Sequence, residues 1–190
     1  MDFEEEIRFS TKSKIAILDL ARQSIISYLS GNTIDGEYDF EHKDDKLGVF
    51  ITLRVGEELR GCIGTIFPED AFKNLIKDMA ISSATKDYRF YPVKLEEMDH
   101  ISIEVSVLSP FVEVKNIDEI QIGKHGLMIE HNGKRGVFLP EVASNQGWDV
   151  LTYLEQLCYK AGLAPDIIKD KPRLLKFDTI KISDDKSQRS

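Results

Sequence analysis

Cysteine is scarce in this chain. Only Cys62 and Cys158 occur in 190 residues, far apart and in no paired spacing, which excludes a secreted disulfide framework and fits a reducing compartment. Long apolar runs are missing too. None approaches the ~18–20 residues needed to span a bilayer, and the chain opens on the acidic MDFEEEIRFS, so a cytoplasmic protein without membrane attachment is expected. Positive charge is in deficit: 25 Lys and Arg stand against 33 Asp and Glu, a net charge of −8 that opposes nucleic acid and anionic membrane at long range. A local basic site stays compatible with this, because charges beyond about 8–10 Å are screened.

Several chemistries lack their motifs. There is no Cys-x-x-Cys pair and no His-Glu-x-x-His, and His42, His100, His125 and His131 fall in unrelated contexts, so no metal and no cofactor is expected. Asp35, Glu37, Asp39 and Glu41 alternate as calcium ligands can, but Phe40 stands where the loop would need glycine, and a solvated acidic loop is the better reading. Phosphate-loop and nucleophile-elbow signatures are missing as well. No repeat, linker or change of composition divides the chain, which reads as one domain over residues 1–190 with a polar tail at 183–190.

What is present is a succession of clear periodicities. Residues 11–30 carry Ile15, Leu18, Ile25 and Leu29 as a helical stripe, with Ser10 or Thr11 as cap and Gly31 as terminator. Residues 47–55 and 58–66 form two apolar runs about a turn at Gly56, a β-hairpin. Pro68 suits the first turn of a second helix, marked by Ala71, Phe72, Leu75, Ile76, Met79 and Ala80. After a loop at 87–93, Ile101, Ile103, Val105 and Val107 alternate with polar residues as in a half-buried strand, ended by Pro110. Residues 127–130 and 136–139 flank the Asn132-Gly133 turn of another hairpin. Leu151, Leu154, Leu157, Cys158 and Ala161 mark a third helix over 150–161, which Gly162 ends, and residues 173–182 read as a final strand. Runs of hairpins and helices in this order predict an α+β fold, a mixed or antiparallel sheet packed by three main helices.

The most unusual stretch is LRGCIGT at 59–65, because two glycines weaken a strand unless the backbone bends or something approaches closely. With regular alternation Arg60, Cys62 and Gly64 share one face, Arg60 can lie over the sulfur, and Gly64 leaves a hollow beside it. A neighbouring cation favours thiolate, which makes Cys62 a candidate nucleophile; a small apolar core residue is the other reading. Lys124, His125 and Gly126 in GKHGL place an imidazole on a turn. It is either an acid/base partner for the thiol or a turn histidine bonded to backbone. DYRFYP at 87–92 offers Asp87, Arg89 and three aromatics, as a binding loop or as an Asp-capped turn with docked rings. Asp149 reads as a helix cap with Trp148 packed back as a staple, and Cys158 as core.

Taken together, LRGCIGT, DYRFYP, ISIEVSVLSP at 101–110, GKHGL at 123–127, FLPEVASNQGWD at 138–149 and LCYKAGL at 157–163 resemble the AMMECR family. That family is named for a chromosomal region linked to Alport syndrome, midface hypoplasia and elliptocytosis. The similarity runs in order over about residues 18–177, and LRGCIG is a highly specific signature for it. Signature residues fall on Arg60, Gly61, Cys62, Gly64, Asp87, Arg89, Phe90, His125, Gly126, Pro140, Gly147, Trp148 and Asp149. Tyr88 and Glu141 depart from the proline and glutamine common among relatives.

The resemblance implies an α+β fold with a larger and a smaller subdomain and a site in the cleft between them, but no reaction. It also implies association with Memo-like and radical-SAM proteins in a modification pathway. The expected site is Cys62 as thiol and His125 as acid/base, with Arg60, Gly61, Gly64, Asp87, Arg89, Lys124 and Gly126 around an anionic or carbonyl-bearing small molecule. The rivals are a non-catalytic protein adaptor and, opposed by the charge, a nucleic-acid-modifying subunit.

Overall fold

A computed structural model describes residues 7–34 and 36–184. The chain forms two compact units. One comprises the described residues up to 108 and from 180, and the other comprises residues 109–179, so the second is inserted between two strands of the first.

In the first unit, α1 (Thr11–Ser30) starts where the Ser10 side chain accepts the Ser13 N–H and stops where Gly31 takes a left-handed φ of 71°. Its buried stripe is Ile17, Leu20, Ala21 and Ile25, and Ile15 points outward, so the apolar face is rotated from the expected one. β1 (Gly48–Val55) and β2 (Glu58–Thr65) form the expected hairpin, and β3 (Ile101–Leu108) pairs antiparallel with the other side of β1. With β8 (Thr179–Ser183) the sheet order is β2-β1-β3-β8, so β2 and β8 are the edges. α2 (Phe72–Thr85) begins four residues beyond Pro68, which therefore lies outside its first turn. Val49, Ile51, Leu53, Ile103, Val105 and Val107 line the inward face of this sheet and join residues of α1 and α2 in one core.

β3 departs from its expected character. Its polar residues Glu104 and Ser106 are buried along with the apolar ones, so it is not a strand with one solvated face. Arg22 of α1 donates to the Met98 and Ile101 carbonyls and to Asp184, whose other oxygen accepts the Ile103 N–H. Ser183 thus ends β8 and Asp184 is anchored; only residues 185–190 of the expected tail lie outside the described residues.

The second unit is a sheet of order β4-β7-β5-β6, from β4 (Val112–Glu113), β5 (Gly126–His131), β6 (Lys134–Phe138) and β7 (Arg173–Phe177). Asn132 and Gly133 both take positive φ in the β5–β6 turn, as a two-residue hairpin of this type demands. Two helices follow. α3 (Pro140–Gln146) has proline at its first position and was not foreseen, and α4 (Val150–Lys160) is capped by Asp149 accepting the Thr152 N–H at 2.8 Å. On α4 Tyr153, Leu154, Leu157 and Cys158 are buried, whereas Leu151, expected in that stripe, is exposed. The final strand is two strands: the chain breaks at Asp178, with β7 in one sheet and β8 in the other. No helix among the described residues is long and apolar enough to cross a membrane.

Candidate functional site

The glycines of β2 mark close approaches. A Cβ on Gly61 would overlap the Ser83 carbonyl of α2, so its absence lets the helix lie against the strand. A Cβ on Gly64 would overlap the Val49 carbonyl and Phe50, which stands directly opposite in the register. The expected hollow beside Cys62 is therefore absent: Phe50 occupies it. Gly126 repeats the device in the second unit, where the Phe177 ring fills the place of its side chain from the facing strand.

Alternation in β2 fails at Arg60. Leu53 faces Gly61 and Arg54 faces Leu59, so Arg60 is the extra residue of a bulge. Its guanidinium is not laid over the sulfur. Nε and Nη2 bond the two Glu97 oxygens at 2.9 and 3.0 Å, Nη1 bonds the Tyr91 carbonyl at 2.9 Å, and Nη2 also reaches the Pro92 carbonyl. Arg60 depresses the Glu97 carboxyl and clamps the end of the 87–97 segment to β2.

Arg89 is a cation beside Cys62. Asp87 takes a bidentate pair from it, Nε to Oδ1 at 2.9 Å and Nη2 to Oδ2 at 2.7 Å, and Oδ1 also accepts the Arg89 N–H. The same two side chains hold the main chain of Cys62: its N–H donates to Asp87 Oδ2 at 2.9 Å, and its carbonyl accepts from Arg89 Nη2 at 3.4 Å. The Arg89 guanidinium beside it, helped by the Cys62 N–H, holds the Asp87 carboxyl at about 2 despite burial. Cys62 itself is half-buried, and its sulfur accepts from the Thr52 hydroxyl at 3.4 Å across the hairpin. Cys158 contrasts with it: fully buried in the apolar face of α4, its thiol is pushed up by burial.

Arg60, Gly61, Cys62, Gly64, Asp87 and Arg89 all belong to the first unit, whereas Lys124, His125 and Gly126 belong to the second. His125 is buried, with Nδ1 accepting the Gln121 N–H at 3.1 Å, and burial lowers its pKa against the opposing pull of Asp178, 3.6 Å from Nε2. The Lys124 and His125 N–H groups both donate to the Gln121 carbonyl, closing the turn. Trp148 packs against Phe138 and Tyr153, the staple expected of it. No group of three or more His, Cys, Asp or Glu side chains among the described residues is placed to hold a metal ion.

Sequence reasoning missed Thr52, Glu97 and Glu104. Thr52 and Glu104 sat in strands read for their apolar residues, and Glu97 lay outside every motif. The signal available for Glu104 was a full charge in a strand whose other polar residues are serines.

The AMMECR1 family model matches residues 18–182, nearly all of the described chain. The chain belongs to the AMMECR1 family. Relatives of this AMMECR1 chain include MJ0810 of Methanocaldococcus jannaschii, 46% identical over 155 residues that cover 77% of each protein. MK0488 of Methanopyrus kandleri is 42% identical over 163 residues, 79% of this chain and 77% of its own. The crystal structure of the uncharacterized protein PH0010 of Pyrococcus horikoshii matches with a TM-score of 0.81 at 35% identity, covering 93% of this chain and 92% of that one. The α+β fold is thus that of an AMMECR1 protein.

Proposed function

We propose that this AMMECR1 chain works through the Cys62 thiol, as an enzyme or binding protein for a small carbonyl-bearing or anionic molecule, with Arg89 as the ligand-facing cation. One observation carries the reading. Cys62 is a partly accessible thiol at a sheet edge whose N–H, carbonyl and sulfur are each held by a different side chain, Asp87, Arg89 and Thr52. A packing cysteine such as Cys158 needs none of this. Arg60 serves the site by fixing the segment that carries Asp87 and Arg89. His125, in the other unit, is kept as an acid candidate on its own geometry alone: Nδ1 accepts the Gln121 N–H, which leaves the ring proton on Nε2.

The test is the rate of iodoacetamide modification at each cysteine against pH. Cys62 should react with an apparent midpoint below about 8 and Cys158 only on unfolding. Arg89→Ala should raise the Cys62 midpoint. A Cys62 that reacts only in the unfolded protein would sink the proposal.

A protein-contact role has one observation of its own. Tyr88 and Tyr91 are 97% and 91% exposed on either side of Arg89, and tyrosine and arginine are residues on which interfaces concentrate their energy. By family association Memo-like and radical-SAM proteins are the partners to try. Loss of such a partner in a Tyr88→Ser, Tyr91→Ser double variant with unchanged Cys62 reactivity would separate this role from the first.

A further inference from the structure

Polar side chains seldom survive in the interior without partners, and where they gather is informative. Among the described residues eight polar or charged residues are buried, and five of them, Thr52, Ser83, Asp87, Glu104 and Ser106, lie on or against β1, β2 and β3. Ser83 and Asp87 are accounted for. Ser83 sits on the helix side, its hydroxyl donating to the Ile51 carbonyl and accepting the Ile63 N–H, and Asp87 holds Cys62. Thr52, Glu104 and Ser106 belong to the opposite face, which an antiparallel sheet would ordinarily leave to water.

The register places them. Thr52 pairs directly with Cys62 on one side and with Glu104 on the other. Side chains directly opposite share a face with Cβ atoms about 4.5–5.5 Å apart, so thiol, hydroxyl and carboxylate stand in one row. The row continues onto β8, where Lys181 Nζ lies 3.5 Å from Glu104 Oε1, an oxygen that also accepts from Ser106 at 3.5 Å. It runs from one edge strand to the other, β2 to β8. Its middle is buried and its two ends, half-buried Cys62 and Lys181 at 37% side-chain exposure, meet solvent.

We propose that Thr52, Glu104 and Lys181 are positioning residues for Cys62, a row that crosses the sheet and sets the charge felt by the thiol. This rests on Cys62 being the working group. Thr52 donates to the sulfur and so favours its anionic form. Glu104, two strands away, opposes that form, and Lys181 offsets Glu104. An ion pair spending its cation on tuning a remote thiol explains why a carboxylate is kept in the middle of β3, where an apolar residue would pack at no electrostatic cost. Asp87 and Arg89 from the turn also face Cys62. Behind it α2 presents the uncharged Ser83, and Arg60 is bound to Glu97. These stay constant in the variants below.

The charges predict shifts of opposite sign, which a merely structural role does not. Iodoacetamide modification of Cys62 against pH, in the full chain, should show Glu104→Gln moving the apparent midpoint down by about one pH unit. Lys181→Met should move it up by a smaller amount, because β8 lies one strand further from Cys62 than β3 does. At neutral pH these are rate changes of up to about tenfold in opposite directions. Thr52→Val should raise the midpoint and Thr52→Ser should leave it in place. Lys181 is exposed enough that its variant keeps the test open if Glu104→Gln does not fold. Equal midpoints in the wild type, Glu104→Gln and Lys181→Met would overturn this proposal while leaving Cys62 as the working thiol. A wild-type Cys62 that is inert until unfolding would bring down the underlying reading instead.

Discussion

Asp87 accepts four hydrogen bonds, three from Arg89 and one from the Cys62 N–H, and protonation weakens all of them together. Its folded pKa of about 2 lies below the ordinary 3.8, so the folded state binds its proton less readily than the unfolded chain. The stabilisation is complete above about pH 4 and is lost as pH falls toward 2, an effect on the order of 2 kcal/mol. Urea unfolding of the wild type should show that loss, and Asp87→Asn should be destabilised at neutral pH by about 2 kcal/mol and lack the slope between pH 4 and 2. A wild-type slope retained in the variant would mean that other carboxylates cause it. At this scale the sequence was partly legible. Asp87 and Arg89 were recognisable as a charged pair on a loop, but their targets, the N–H and carbonyl of a residue far away in sequence, leave no trace in composition or spacing.

Among the elements, what could be read were those whose partners lie nearby in sequence. α1, α4, the two hairpins and β3 announce themselves through periodicity, caps and turn glycines. Side-chain direction was less legible. The bulge at Arg60 cancels the alternation that put the guanidinium over the sulfur, and a polar face on β3 looks the same whether it meets water or a row of buried partners. The turn before β5 offers an element-scale test. Burial lowers the His125 pKa below its ordinary 6.5, so the unfolded chain takes up this proton first. The contribution is intact above about pH 6.5 and is lost as pH falls from there toward the folded value. His125→Asn keeps an acceptor for the Gln121 N–H, so urea midpoints between pH 7.5 and 5.5 should fall in the wild type and stay flatter in the variant.

For the whole molecule, the unbroken run of residues 173–182 concealed the largest departure, a single apparent strand shared between two sheets. Nothing local distinguishes β7 from β8; the break at Asp178 is decided by which neighbours each half finds. There Ser109 and Asp178 are joined twice, Ser109 N–H to the Asp178 carbonyl and Asp178 N–H to the Ser109 hydroxyl, both at 2.9 Å. The inserted unit therefore leaves and re-enters the chain at one point. This bears on the order of assembly. Pairing β8 with β3 across a disordered segment of about 70 residues would cost roughly 4 kcal/mol of loop entropy, but a segment already folded, with β4 paired to β7, delivers β8 to its place almost without charge. Refolding followed by hydrogen exchange should find β5 and β7 protected before β8, and a variant that weakens only the inserted unit, such as Leu157→Ala, should slow protection of Ile182 although that residue lies in the other unit. Simultaneous protection of β8 and β3 ahead of β7 would reverse this order, and the edge strand that carries Lys181 would then form on its own.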